Sequence, residues 1–259
     1  MQNVERITSN QNSHVKRWSK LQTKKGRKES GTYLLEGWHL VSEALKAGID
    51  LVEIMVVDPN DWNPLKSLPT TTMRYEITEE VAKHISSTKT PQGVFATVLV
   101  NNESNKIPNN LHGQWLLLDQ LQDPGNVGTI VRTADAAGLT GVVLGDGSVD
   151  LYNPKVVRSM QGSQFHINLL SGNLLEWLTE FEYQDIPTYG TELNPQAVAY
   201  DQVPTGESFG LIMGNEGNGT SSEILAATTK NLYIPMNGKA ESLNVAVAAG
   251  ILMFQLTKK

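Results

Sequence analysis

Residues 118–139 read LDQLQDPGNVGTIVRTADAAGL, and this stretch decides the fold. The apolar segment WLLLD (115–119) leading into it has strand character. Pro124-Gly125 ends that strand, because proline cannot continue a ladder, and Asn126 then falls at or near a helix start. Two further stretches repeat the plan, FGLIMGNEGNG (209–219) and YIPMNGKAESLNVAVA (233–248). Each runs from an apolar segment into a Gly/Asn/Pro/Ser loop and on towards a helix. Open α/β proteins hold ligands at strand carboxyl ends in this arrangement, so these loops are where function is expected.

WLLLD, GVVLG, FHINL, IPTYG, FGLIMG and LYIPM alternate with helical patterns around 127–138, 153–161, 173–184, 220–229 and 241–257. That alternation predicts a largely parallel sheet with helices on both faces. Thr220-Ser221-Ser222-Glu223 reads as a capping box at one helix start. Upstream, NNESNKIPNNLHG (101–113) reads as a linker. It separates a domain over 114–259 from a smaller α/β unit over 1–100, in which TYLLEG, VEIMVVD, RYEIT and GVFATVLV are strands and 38–48 and 78–87 helices. In SHVKRWSKLQTKK (13–25), Val15, Trp18 and Leu21 share one helical face and basic residues occupy the rest.

Apolar residues make up 39% of the 259, enough for two ordinary cores. Cysteine is absent and the five histidines are scattered, so no metal site is expected. The first residues lack the apolar run of a secretory signal, and 243–256 falls short of the ~20 apolar residues of a membrane span. We expect a cytoplasmic protein with a buried helix there. The net charge of −6 is uneven: residues 1–31 hold eight Lys and Arg against two Glu, a balance of +6, which leaves −12 on the remainder. Such an arm reads either as a phosphate-binding element or as a solvated helix face.

Within the three loops, Arg132 sits among Ile130, Val131 and Ala134, where an arginine is rare unless paired. It is either functional or bound to a carboxylate such as Asp119 or Asp123. Glu216, between glycines just after a strand, can anchor a cation, order a partner loop or simply face solvent. Ser242 and Asn244 begin an otherwise apolar helix, Ser242 as the simplest N-cap. No nucleophile elbow and no P-loop is present.

In this order, N-x5-R after D-P-G-N, then G-N-E-G, then I-P-M followed by S-L-N-V, the segments resemble the SpoU/TrmH branch of the SPOUT RNA methyltransferases. The match covers most of 114–259. KLQTKKGRKESGTYLLEG also resembles the ribosomal-protein-like substrate-binding domain of rRNA-directed members. The resemblance implies S-adenosylmethionine-dependent 2′-O-ribose methylation, a deep trefoil knot and a homodimer. It places the cofactor against Gly214, Asn215, Ile234, Met236, Leu243 and Asn244. Arg132, Asn126, Glu216, Ser242 and Asn244 become the catalytic set, and Lys24, Lys25, Arg27, Lys28, Lys155 and Arg158 the RNA contacts. Large-subunit rRNA is the expected substrate ahead of tRNA. Base methylation, or RNA binding without catalysis in ribosome assembly, are the competing readings.

Overall fold

A computed structural model describes residues 4–101, 103–192 and 194–258. Asn102, in the expected linker, lies outside the described residues. The chain divides into two compact units. One comprises residues up to Asn101 together with Asp150–Phe165, and the other Asn102–Val149 together with His166–Lys259.

The first unit contains β1 (Val4–Ile7), α1 (Ser13–Lys20), α2 (Lys24–Ser30), β2 (Thr32–Glu36), α3 (Trp38–Lys46), β3 (Glu53–Val56), β4 (Met73–Ile77), α4 (Glu79–Ile85) and β5 (Val94–Leu99). Its sheet runs β1-β4-β3-β5-β2, parallel across β1, β4 and β3 and antiparallel at β5. Val15, Trp18 and Leu21 are buried in its core with Ile7, Met55, Tyr75 and Phe95, as their helical spacing requires. Buried Glu53 accepts from Arg17 at 2.5 Å, Trp18 Nε1 at 3.0 Å and Thr97 at 3.0 Å, which compensates its desolvation and ties α1 to the sheet.

The basic segment differs from expectation because it is not one helix. It breaks after Lys20, and Thr23 starts α2 by accepting from the Gly26 amide at 3.1 Å. Only glycine fits at 26, since a Cβ there would lie 2.1 Å from the Lys20 carbonyl oxygen. The break turns Arg27 inward. It is 4% exposed, donates to the Leu21 carbonyl at 2.6 Å and pairs with Asp150 at 2.5 Å.

The remaining elements are β6 (Gln114–Leu118), α5 (Pro124–Ala137), β7 (Gly141–Gly145), α6 (Pro154–Met160), β8 (Asn168–Gly172), α7 (Leu174–Tyr183), β9 (Thr188–Thr191), β10 (Val198–Ala199), β11 (Phe209–Met213), α8 (Ser222–Ala226), β12 (Lys230–Tyr233) and α9 (Val245–Leu256). Seven strands run β10-β12-β9-β11-β6-β7-β8, all parallel. β7 and β11 are buried throughout and lack polar alternation, as strands covered on both faces must. The strand expected at FHINL begins only at Asn168, because Ser163–Phe165 forms a 3-10 turn.

Although it lies inside 114–259, α6 groups with the first unit. Beside the Arg27–Asp150 pair, Tyr152 packs on Tyr33 at 4.7 Å between ring centroids, and Val156, Val157 and Met160 are buried. The later part of the expected linker belongs to the second unit, where Leu111 is buried and its amide donates to Gln184 at 2.9 Å. Among the described residues no helix is long and apolar enough to cross a membrane.

Candidate functional site

The three expected loops leave β6, β11 and β12 at their carboxyl ends. In the sheet β11 lies beside β6, and β9 alone separates it from β12. β6 and β11 end in step: Leu118 pairs Met213, and the Asp119 amide donates to the Met213 carbonyl at 2.8 Å. Asp119 is buried and accepts from the Ser221 amide at 2.8 Å. Asp123 caps α5 by accepting from the Asn126 amide at 2.8 Å, with Pro124 in the first turn, so Asn126 falls at the helix start as its sequence predicts.

The 214–219 loop is closed on itself, since the amides of Asn215 and Gly219 each donate to the other's carbonyl at 2.9 Å. Gly214 cannot be replaced without moving that loop, because a Cβ would stand 2.0 Å from the Thr220 nitrogen. The loop presents Glu216 to the loop after β6. Glu216 accepts from the Gln122 amide at 3.4 Å, the Asp123 amide at 3.2 Å and Asn126 Nδ2 at 3.2 Å. Desolvation pushes its carboxyl upward, but its own amide, the Asn126 side chain and the two neighbouring amides outweigh this and hold it below the usual glutamate range.

Asn126 in turn accepts from Asn244 Nδ2 at 3.0 Å. Asn244 is the N-cap of α9 and accepts from the amides of Ala246 and Val247, at 2.9 and 3.4 Å. The cap is therefore Asn244 and not Ser242. Nor does the capping box form at α8: Ser221 is the N-cap without a side-chain bond, and the Thr220 hydroxyl donates to the Thr191 carbonyl at 3.1 Å.

Against this network lies an open cleft of about 640 Å³, within the range of small-molecule sites. Gly214, Asn215, Ile234, Met236, Leu243 and Asn244 all border it, as do Asn126, Glu216 and Ser242. Arg132 does not. It is exposed on α5. Sequence reading missed Thr191, Glu192, Tyr233 and Glu241 on the cleft wall. The strand-end rule could have found Thr191 and Glu192, which follow the strand predicted at IPTYG.

Among the basic candidates, Lys24, Lys25, Lys28 and Lys155 are exposed. Arg158 is half-buried and donates to the Ser87 hydroxyl at 2.7 Å. Arg27 must be corrected: it is spent on the Leu21 carbonyl and Asp150, and is not presented to solvent.

Comparison with known proteins adds independent observations. Residues 114–254 match the sequence profile of the SpoU rRNA Methylase family, and 12–96 that of the MRM3-like substrate binding domain. The chain is 44% identical over 257 residues to the 23S rRNA (guanosine(2553)-2'-O)-methyltransferase RlmP of Bacillus subtilis (strain 168), covering 98% of this chain and 99% of that protein. It is 26% identical to the 23S rRNA (uridine(2479)-2'-O)-methyltransferase of Streptomyces viridochromogenes, covering 98% and 92%. The crystal structure of an AdoMet-bound rRNA methyltransferase from Sinorhizobium meliloti superposes with a TM-score of 0.87 at 29% identity, covering 98% of this chain and 97% of that one.

Proposed function

The chain belongs to the SpoU rRNA methylase family, and on that premise we propose that its strand-end cleft binds S-adenosylmethionine for methylation of a ribose 2′-hydroxyl in large-subunit rRNA. The observation that carries this reading is the Glu216–Asn126–Asn244 chain, which joins all three loops beside the cleft. The two rRNA methyltransferases named above act on different bases, guanosine and uridine, but on the same ribose oxygen. The loops are accordingly assigned to the ribose, and base choice to RNA contacts elsewhere.

The cleft suits the cofactor. Leu232, Ile234, Leu243 and Leu252 offer apolar surface for a flat heterocycle, and Gly214 brings bare backbone to the wall. When bound, S-adenosylmethionine supplies an electrophilic methyl group. Asn126, gripped at both ends of its amide, presents a fixed surface to the ribose. Arg132 acts as a charged donor. A guanidinium stays charged and is a poor base, so it is assigned to stabilise the developing alkoxide and the adjoining phosphate without itself taking the proton. The Ser242 hydroxyl borders the same cleft and is assigned to the substrate hydroxyl. Lys24, Lys25, Lys28, Lys155 and Arg158 are assigned to RNA phosphates.

We also assign a homodimer, a trefoil knot formed by the C-terminal loops and a cytoplasmic location. Val247 and Phe254, 52% and 51% exposed, are seven residues apart on α9 and form an apolar face beside Thr133 of α5. A second copy covers such a face best. For the knot, the support is that β12 lies outside β9 while α9 returns to pack on α5 and β11.

The test is incubation with methyl-labelled S-adenosylmethionine and unmodified rRNA or tRNA, followed by digestion to nucleosides. Label on an rRNA ribose supports the reading. Label on a base, or on tRNA alone, overturns it.

A further inference from the structure

Three non-glycine residues among those described have left-handed backbone: Gln161 and Asp185 at φ +53° and +55°, and Gln120 at +55°. The first two follow the ends of α6 and α7, where helices commonly close in this way. Gln120 closes no helix. It is the second residue beyond β6, in the loop that carries Asn126, and glutamine has no special tolerance for this conformation.

Its restraint comes from the neighbouring loop. The Gln120 carbonyl accepts from Asn215 Nδ2 at 2.8 Å. Asn215 Oδ1 accepts from the amides of Gly217 and Asn218, at 2.9 and 3.1 Å, so both ends of that side chain are committed within the protein. Beyond Gln120, the amides of Gln122 and Asp123 reach Glu216, next in sequence to Asn215. Asn215 also borders the cleft.

We propose that Asn215 is a positioning residue, not a cofactor ligand: its side-chain amide pins the left-handed Gln120 and so sets where Asn126 stands beside the cleft. One residue thereby links the cofactor wall to the placement of the substrate ribose. This rests on the methyltransferase reading of the cleft.

Four forms of the full-length protein test it: wild type, Asn215→Ala, Gln120→Val and the double variant Asn215→Ala with Gln120→Gly. Hydrogen exchange over residues 119–128, the cofactor dissociation constant and kcat/KM for RNA are measured on each. Asn215→Ala should speed exchange in that segment and lower kcat/KM at least about tenfold, with cofactor affinity held within about threefold. Gln120→Val should do the same with Asn215 intact, because a β-branched residue resists positive φ. Glycine at 120 accepts that backbone readily, so the double variant should regain at least about threefold over Asn215→Ala. Unchanged exchange in both single variants, or no recovery in the double variant, overturns the proposal. Absence of methyl transfer by the wild type overturns the reading of the cleft instead, while the exchange data still decide whether Asn215 pins Gln120.

Discussion

Asn126 donates to Glu216 at 3.2 Å across ninety positions of sequence. Neither residue is buried, and the bond adds little to the stability of the fold. It fixes an angle, that of the Asn126 amide beside the cleft.

Glu216→Gln keeps the size of the side chain but removes the carboxylate to which Gln122, Asp123 and Asn126 donate. It should lower kcat/KM for RNA at least tenfold, roughly the loss of a charge-assisted link that positions a reacting group. Single-turnover methylation at saturating cofactor checks this.

The same carboxyl has an acid signature. Folding holds it below the usual range, whereas in the unfolded chain it titrates near about 4.3. Between those values the unfolded chain binds the proton and the folded chain does not. Its contribution is therefore complete above about pH 4.3 and lost as pH falls through the lower folded value. The slope of melting temperature against pH in that acid window should be shallower for Glu216→Gln than for wild type.

Arg132→Ala should abolish transfer, at least about a hundredfold, as when one preorganised donor to a developing anion is removed. Because Arg132 is exposed on the surface of α5, stability should change by less than about 0.5 kcal/mol. Cofactor titration and urea unfolding of the same preparation separate these effects.

The basic arm divides into two kinds of residue. Replacing Lys24, Lys25 and Lys28 together by alanine should weaken RNA binding and flatten the plot of log K against log salt by about 2 to 3, since each phosphate contact contributes ~0.7–0.9. Arg27→Ala should instead destabilise the protein by about 3 kcal/mol, because Asp150 loses its buried partner. Filter binding over a salt series and urea unfolding distinguish them.

Phe254→Asp should yield monomers, because a charge on the exposed apolar face of α9 opposes burial against a second copy. Sedimentation velocity at micromolar concentration reads the outcome directly.

The strand-to-loop-to-helix rhythm was legible because apolar runs and breakers are local signals, and it led to the three loops. What was not legible depended on contacts remote in sequence. Arg27 looks like its lysine neighbours until the chain breaks after Lys20 and brings Asp150 to it. α6 has the pattern of any helix of the second unit, yet Tyr33 and Arg27 hold its segment elsewhere. Ser242 and Asn244 are both good caps by type, and only the path of the loop decides for Asn244. Gln120 carries no mark at all, since its left-handed backbone is imposed by a loop about ninety residues downstream.

Asn244 also bears on biosynthesis. A ribosome adds residues from the amino end, so the loops after β6 and β11 exist long before the residue that joins them to α9. Until Asn244 emerges, Asn126 lacks one of its two side-chain partners. The side-chain link that joins the three loops is thus completed only after the strands it borders have all been made.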